Sequence, residues 1–261
     1  MRPARPKPRF VDLRSAEVVP ATVPRLFLGR LDEAGLREEL EQAGILAALR
    51  ERGYSELLLR TDYHGGEHAL RVDAAGAGAS LLELRVGEGA TQAAEPALRA
   101  CGLDGFSFLS VHWVALQDPA QAFAAERPKL PGQRHPGLGL LQPLVRRLTA
   151  WTERWGKDAL LFQPEHYHSA VFCAKWFKFV DPVRQGRFLA LQRDLRLVHV
   201  AQASASIEQG RVVEEPWGAP LKWEPGEMID PVAETLRRCL ESREYETAVD
   251  RARDAARFRL R

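Results

Sequence analysis

The sequence lacks the features that mark several large classes of protein. Its 261 residues include three cysteines, and their spacing gives neither a zinc cluster nor a disulfide framework, so we expect a reducing, cytoplasmic environment. No apolar run approaches the roughly 20 residues that a membrane-spanning helix needs, so we expect no membrane partner. Residues 1–9 alternate proline with arginine or lysine and contain no apolar segment of the kind found in signal peptides.

An excess of one charge is also missing, because the formal net charge is only +2. Such a balance gives no overall attraction to nucleic acid, so we do not expect a nucleic-acid partner. The 45% hydrophobic content is enough for a sizeable core. We predict a basic, proline-rich arm and first strand over residues 1–24, a single domain over residues 25–231 and a charged C-terminal helix over residues 232–261. The oligomeric state stays open, with a homodimer as one option.

Apolar periodicity in the first half of the chain predicts helix and then an antiparallel meander. Residues 32–52 carry an apolar stripe at helical spacing, which predicts a helix or a helix pair. Alternating segments at residues 55–61, 67–73 and 80–86 predict three strands joined by turns. Residues 106–116 are apolar on both faces, which predicts a strand in the centre of the sheet.

The residue patterns in the second half of the chain predict mainly helices. A helix with an apolar face precedes Gly156, whose lack of a side chain suits the positive φ that follows many helices. A short buried strand, Ala159–Phe162, comes next. The remaining predicted elements are helices over residues 169–178 and 183–195, a hairpin of residues 197–207 with 211–214, and a loop over residues 216–231.

A glycine-containing loop precedes the first of these helices. It runs Arg134-His135-Pro136-Gly137-Leu138-Gly139 and satisfies the pattern R/Q-x-x-G-x-G/A. Glycine lets a backbone approach phosphate without a Cβ in the way. The N–H groups at a helix start have no intrahelical partners, and the helix dipole favours anions there. The loop and the helix therefore predict a phosphate-binding site.

This loop pattern and the order of the surrounding elements resemble the GNAT superfamily of acyl-CoA N-acyltransferases. The resemblance implies an α/β fold with a GNAT-like mixed, mostly antiparallel sheet flanked by helices. It implies acetyl-CoA, or another acyl-CoA, as co-substrate, and direct attack of an unidentified amine on the thioester without a covalent enzyme intermediate. The cofactor-binding residues that it implies are Gln133, Arg134, His135, Gly137, Leu138 and Gly139.

Amine attack on a thioester needs a general base and a donor for the leaving group. His112, on the predicted central strand, is the candidate base, and a hydrogen-bonded core histidine is its alternative role. Glu165 and Tyr167 follow the next strand and are candidates for base and acid, with an ordinary surface turn as the alternative. Cys173 is a further candidate because it stands near the position of a tyrosine in the superfamily.

Two other functions stay open. The superfamily often has asparagine, tyrosine and Gly-Phe at three positions where this chain has His168, Cys173 and Lys178-Phe179. One alternative is therefore a catalytically inactive GNAT-like module for ligand binding or protein interaction. The other is a metal-binding protein, because Glu165, His166 and His168 place two imidazoles on one face of an extended backbone. No HExxH motif or cysteine pair accompanies them, so we expect no metal.

Overall fold

The computed structural model describes residues 26–92, 98–99 and 102–261 of the chain. The predicted arm and first strand over residues 1–24 lie outside these ranges. The described residues form an α/β fold in which helices flank an open, mixed and mostly antiparallel sheet, so the predicted α/β class and the predicted kind of sheet are confirmed. Within the same ranges, every helix is too short or too polar to span a bilayer.

We label the helices and strands of the described residues in chain order. The helices are α1 (Glu33–Gln42), α2 (Ile45–Glu51), α3 (Leu141–Arg154), α4 (Tyr167–Cys173), α5 (Pro182–Asp194), α6 (Val200–Glu208), α7 (Glu234–Leu240) and α8 (Arg243–Ala255). The strands are β1 (Leu57–His64), β2 (Glu67–Ala74), β3 (Leu82–Gln92), β4 (Gly105–Leu116), β5 (Ala159–Phe162), β6 (Lys178–Phe179), β7 (Val212–Glu214), β8 (Ala219–Pro220), β9 (Met228–Pro231) and β10 (Phe258–Leu260).

The main sheet has seven strands in the order β1-β2-β3-β4-β5-β9-β6. The first four form the predicted antiparallel meander, and β4 is the central strand of the seven, so both predictions are confirmed. β4 and β5 run parallel, whereas β9 is antiparallel to both β5 and β6. A small antiparallel sheet has the order β10-β7-β8. In the described part of the main sheet, the only parallel pair of strands is therefore β4 with β5, beside the central position.

Two apolar clusters cover the two faces of the main sheet. Residues of β5 alternate between them: Leu160 belongs to the larger cluster, and Ala159 and Leu161 belong to the smaller one. The larger cluster includes buried side chains from α1 to α6, and the smaller includes those of α7 and α8. Alternation with a period of two is what places the side chains of one strand in both layers.

A buried ion pair network joins α1 to α3. The Glu39 carboxylate accepts hydrogen bonds from Trp151 Nε1 at 2.8 Å, from Arg147 at 2.8 Å and from Arg154 at 2.7 Å. Burial alone would raise the pKa of Glu39, but these hydrogen bonds and the two guanidinium charges together lower it. The carboxylate is thereby kept ionised although it is buried.

The predicted helix pair over residues 32–52 is confirmed as α1 and α2. Asp32 caps α1 through a hydrogen bond from Gly35 N–H to its carboxylate at 2.8 Å. Gly44 separates the two helices at a φ of 71°, which a residue with a side chain adopts only with strain.

The predicted strand over residues 197–207 is wrong, because this segment forms helix α6. Its sequence alternates alanine with polar residues, which mimics a strand pattern. Alanine nevertheless has the highest helix propensity, and the buried residues Ala203, Ser204 and Ile207 lie at helical spacing. The predicted hairpin is therefore absent, and β7 pairs with β8 and β10 instead.

The single predicted helix over residues 232–261 is also wrong. Ser242 ends the first helical segment and caps the next, because its hydroxyl accepts a hydrogen bond from Tyr245 N–H at 3.2 Å. The result is two helices, α7 and α8, followed by β10. Residues 216–231, predicted as loop, contain β8 and β9, and β9 is an interior strand of the main sheet.

The cysteines differ in state. Cys173 is a free thiol in the larger apolar cluster. Cys239 is disulfide-bonded. The expectation that spacing excludes a disulfide is therefore wrong for Cys239.

Candidate active site

The pairing between the parallel strands β4 and β5 stops part-way along β4. Their last paired residues are Val111 and Phe162, where β5 ends. β4 continues to Leu116, so its segment from His112 to Leu116 has no strand beside it on this edge among the described residues. Backbone N–H and C=O groups on an unpaired strand edge can bind an extended ligand. We refer to the space beside this segment of β4 as the wedge.

The predicted glycine loop borders the end of the wedge at Leu116. Leu138 N–H donates to the Leu116 carbonyl at 3.2 Å, and Asp118 N–H donates to the Pro136 carbonyl at 2.8 Å. These hydrogen bonds hold the loop against the last residue of β4. The start of α3 is therefore held at the same end of the wedge.

The start of α3 has backbone donors without partners. The N–H groups from Gly139 to Gln142 donate to no acceptor within the described ranges, and Leu144 N–H is the first to bond, to the Leu140 carbonyl at 3.2 Å. Pro143 is the third helical residue and lies in the first turn, where its missing N–H removes no helical bond. Free N–H groups and the positive end of the dipole make this turn suitable for an anion.

The two glycines of the loop have different conformations. Gly139 has a φ of 72°, which strains any residue with a side chain. Gly137 does not have a positive φ, and a Cβ there would lie 3.7 Å from the Leu116 carbonyl oxygen, an ordinary contact. The backbone conformation at position 139 therefore requires glycine. At position 137 it does not, and the absence of a side chain there leaves the backbone exposed.

The other predicted cofactor-binding residues have diverse surroundings. Gln133 accepts a hydrogen bond from Leu130 N–H at 3.1 Å and so helps to shape the loop. Arg134 is exposed and His135 is half-buried. Leu138 is buried, and its carbonyl accepts a hydrogen bond from Arg52 at 2.8 Å. Leu138 thus anchors the loop through its side chain and its carbonyl oxygen.

His112 lies at the other end of the wedge, in a β-bulge of β4. Val111 pairs with Val86 and Trp113 pairs with Arg85, which leaves His112 as the additional residue. A bulge changes the direction of a side chain, and here the imidazole reaches across β3 towards β2. The predicted base is therefore on the central strand, as expected, where the wedge begins.

Three side chains form a hydrogen-bonded chain around this imidazole. Nδ1 of His112 lies 2.9 Å from Oε2 of Glu67 on β2, and Nε2 contacts Oγ of Ser110 on β4. An ionised carboxylate only accepts hydrogen bonds, so in the neutral ring the proton is on Nδ1 and Nε2 accepts the Ser110 hydroxyl proton. We call Glu67, His112 and Ser110 the triad.

The triad lies partly in solvent. The His112 side chain is 44% exposed and that of Glu67 is 30% exposed, whereas Ser110 is only 4% exposed. The second Glu67 oxygen lies 3.8 Å from Arg85, which also pairs with Glu83 at 3.0 Å. Arg85 thus adds a positive charge beside the carboxylate that orients His112.

The other predicted catalytic residues lie on or next to α4. Glu165 is exposed. Tyr167 is buried and packs edge-on against Trp223 and Phe188, and burial raises its pKa to about 12. Burial also raises the pKa of Cys173 to about 12. Tyr167 and Cys173 are therefore protonated at neutral pH.

The two histidines of the predicted metal site stack on each other, with ring centroids 5.1 Å apart. Nδ1 of His166 pairs with Glu208 at 2.6 Å, and Nδ1 of His168 hydrogen-bonds Ser204 at 2.9 Å. Burial, helped by the neighbouring His166, lowers the pKa of His168 to about 4. In residues 26–92, 98–99 and 102–261 there is no group of three His, Cys, Asp or Glu side chains that could hold a metal ion.

Sequence reasoning missed two members of the triad. Ser110 could have been found, because residues two apart on a strand share a face and it stands two residues before His112. Glu67 is 45 residues from His112 in sequence, and it is brought near only by the pairing of β2, β3 and β4. No local pattern marks such a contact.

A surface depression of about 270 Å³ lies between β1, β2 and the segment before α1. Its polar lining includes Asp62 and His68, but Nδ1 of His68 already accepts a hydrogen bond from Leu28 N–H at 3.0 Å. We therefore assign the candidate site to the wedge, which has free backbone donors at one end and the triad at the other. Comparison with family models and with curated proteins finds no match to this chain.

Proposed function

We propose that the protein is an acyl-CoA-dependent N-acyltransferase with a GNAT-like arrangement of its sheet. The observation that carries this proposal is the wedge, which has free N–H donors of a glycine loop and helix start at one end and the triad at the other. An acyl-CoA has the same two chemical ends, a pyrophosphate and a thioester. Its pantetheine arm is an extended amide chain, which suits an unpaired strand edge.

The length of the wedge fits such a ligand. The β4 segment from His112 to Leu116 has five residues, which span about 17 Å at the rise of an extended strand. A pantetheine arm in an extended conformation covers a comparable length. The pyrophosphate would then lie against the N–H groups of Gly139 to Gln142, with exposed Arg134 nearby to pair with phosphate oxygens.

The chemistry would take place beside His112. Acyl transfer to an amine needs a base to take the proton of the amine. Glu67 orients the imidazole and stabilises the imidazolium that forms, as a carboxylate does for histidine in acyl-transfer enzymes. Tyr167 and Cys173 remain protonated and are buried in the larger cluster, so we assign the base to His112.

The proposal is tested by calorimetric titration with CoA. Gly137→Val should weaken CoA binding at least about tenfold with little loss of stability, because the new side chain meets the ligand and the backbone φ is ordinary. Arg134→Ala should have a smaller effect, since backbone donors provide most of the phosphate contact. Ala150→Val, on the exposed side of α3, adds the same side chain away from the loop and should bind CoA like wild type.

Two outcomes separate the alternatives. No CoA binding by the wild-type protein would rule out the acyl-CoA proposal. CoA binding that Gly137→Val weakens, combined with no acyl transfer to a panel of primary amines, would favour the inactive ligand-binding module.

A further inference from the structure

The triad leaves His112 without a free ring nitrogen. Nδ1 is engaged by Glu67 and Nε2 by Ser110. An amine that attacked a thioester directly could reach the imidazole only after Ser110 had moved away. The atom that the imidazole activates in this arrangement is instead Oγ of Ser110.

The roles of the three side chains match those of a serine nucleophile, its base and the carboxylate that orients the base. Such a set is recognised by its geometry, with the hydroxyl on Nε2 and the carboxylate on Nδ1, and it recurs on unrelated folds. We propose that Ser110 is a covalent nucleophile that carries the acyl group as an ester between donor and acceptor. The identity of the donor as acyl-CoA rests on the proposed function, whereas the nucleophilic role of Ser110 does not.

The reaction would proceed in two balanced halves. Oγ of Ser110 attacks the thioester carbonyl carbon while its proton passes to Nε2 of His112. The C–S bond breaks, and the thiolate takes that proton to leave as free thiol. An amine then attacks the ester, its proton passes to Nε2, and the C–O bond breaks. Ser110 recovers the proton and the product is an amide, with no redox change.

The position of Ser110 suits transfer to a bound amine. It pairs with Gly87 on one side and Leu161 on the other, one residue before the last pair between β4 and β5. The thioester end of a ligand bound in the wedge would then lie next to Ser110. Because Ser110 is 4% exposed, an ester on it is shielded from bulk water, and this favours a bound acceptor over hydrolysis.

A different role for Ser110 would be only to fix the orientation of His112. In that case no acyl group would ever be found on the protein. The two roles are separated by covalent labelling, because a serine that only positions a ring does not form an ester.

The experiment treats the full-length protein with acetyl-CoA in the absence of any amine, and separately with a fluorophosphonate, a probe for activated serines. Peptide mass spectrometry should locate an acetyl group or a phosphonate on Ser110. Ser110→Ala should lose both adducts. Ser107→Ala is the matched control on the same strand, where the hydroxyl binds Asp158 at 2.7 Å, and it should retain them. Glu67→Gln should slow labelling on the order of 10²-fold or more, because the carboxylate no longer stabilises the imidazolium.

The outcomes are distinguishable. Labelling by the fluorophosphonate alone, with no CoA binding in calorimetry, would support Ser110 as nucleophile and exclude acyl-CoA as its donor. Wild-type protein that binds CoA and transfers acyl groups but forms neither adduct would overturn the nucleophile and leave the proposed function standing. Ser110→Ala protein that keeps wild-type transfer rates would overturn it as well.

Discussion

The imidazole of His112 lies against the bare backbone of Gly87. A Cβ on Gly87 would be 3.0 Å from Cε1 of His112 and 3.3 Å from Nε2, closer than side chains normally pack. β3 separates β4 from β2 in the sheet, so the ring can reach Glu67 only by passing over β3. A residue without a side chain on β3 is therefore a condition for the triad.

We expect Gly87→Val to displace the imidazole and disconnect it from Glu67. Gly87 does not have a positive φ, so the backbone tolerates valine and the effect should fall on His112. A displacement of about 1 Å can reduce turnover on the order of 10²-fold. Acyl-transfer rates of folded protein would measure this. Ala90→Val, at an exposed position of the same strand, should keep wild-type rates, and equal rates in both variants would contradict the role of Gly87.

The two glycines of the loop should differ in their effect on stability. Gly139→Ala should lower the unfolding free energy by about 1–2 kcal/mol, because alanine is strained at a φ of 72°. Gly137→Ala should change it by less than about 0.5 kcal/mol, since its Cβ makes only an ordinary contact. Urea denaturation of both variants measures the difference, and the prediction fails if the two losses are the same.

Glu39 should be a strong contributor to stability. Glu39→Gln keeps the shape of the side chain but removes the charge that accepts hydrogen bonds from Arg147, Trp151 and Arg154. Hydrogen bonds to charged groups contribute about 1.5–3 kcal/mol each, so we expect a loss of roughly 2–4 kcal/mol. Glu38→Gln, one residue earlier and exposed, is the matched control and should lie within about 0.5 kcal/mol of wild type. A Glu39→Gln protein as stable as its control would show that the network contributes nothing.

His168 should make the protein less stable at acidic pH. Its pKa is about 4 in the folded protein against 6.5 for an ordinary histidine. As pH falls from 6.5 to 4, the unfolded chain binds a proton that the folded protein does not, so stability decreases. This difference in pKa corresponds to about 3 kcal/mol in total.

The check compares unfolding free energies of wild type and His168→Gln between pH 7 and pH 4. The groups facing His168 are His166, which pairs with Glu208, together with Ser204 and Phe172. These groups and all carboxylates are present in both proteins, so the difference between the two curves isolates His168. Parallel curves would show that His168 titrates alike in the folded and unfolded chains.

Local sequence patterns were enough to predict many of the helices and strands. The helix stripe of residues 32–52, the alternating strands of the meander and the apolar strand through Leu109 and Val111 depend on neighbours within a few residues. Local patterns failed where they fitted two structures equally well. Alanine alternating with serine in α6 resembles a strand. The segment from residue 232 to 261 is rich in arginine and glutamate and resembles a single helix, although Ser242 divides it.

The candidate site was likewise predictable from the sequence only in part. The sequence by itself determined the glycine loop, the start of α3 and the presence of His112 on a central strand, because these depend on backbone conformation, capping and side-chain periodicity. Tertiary structure alone decided that β5 ends beside β4 to open the wedge, that β9 enters the main sheet, and that Glu67 meets His112 over Gly87. The physical reason is that strand pairing joins segments far apart in the chain, and the contacts that select one pairing exist only once the sheet has formed.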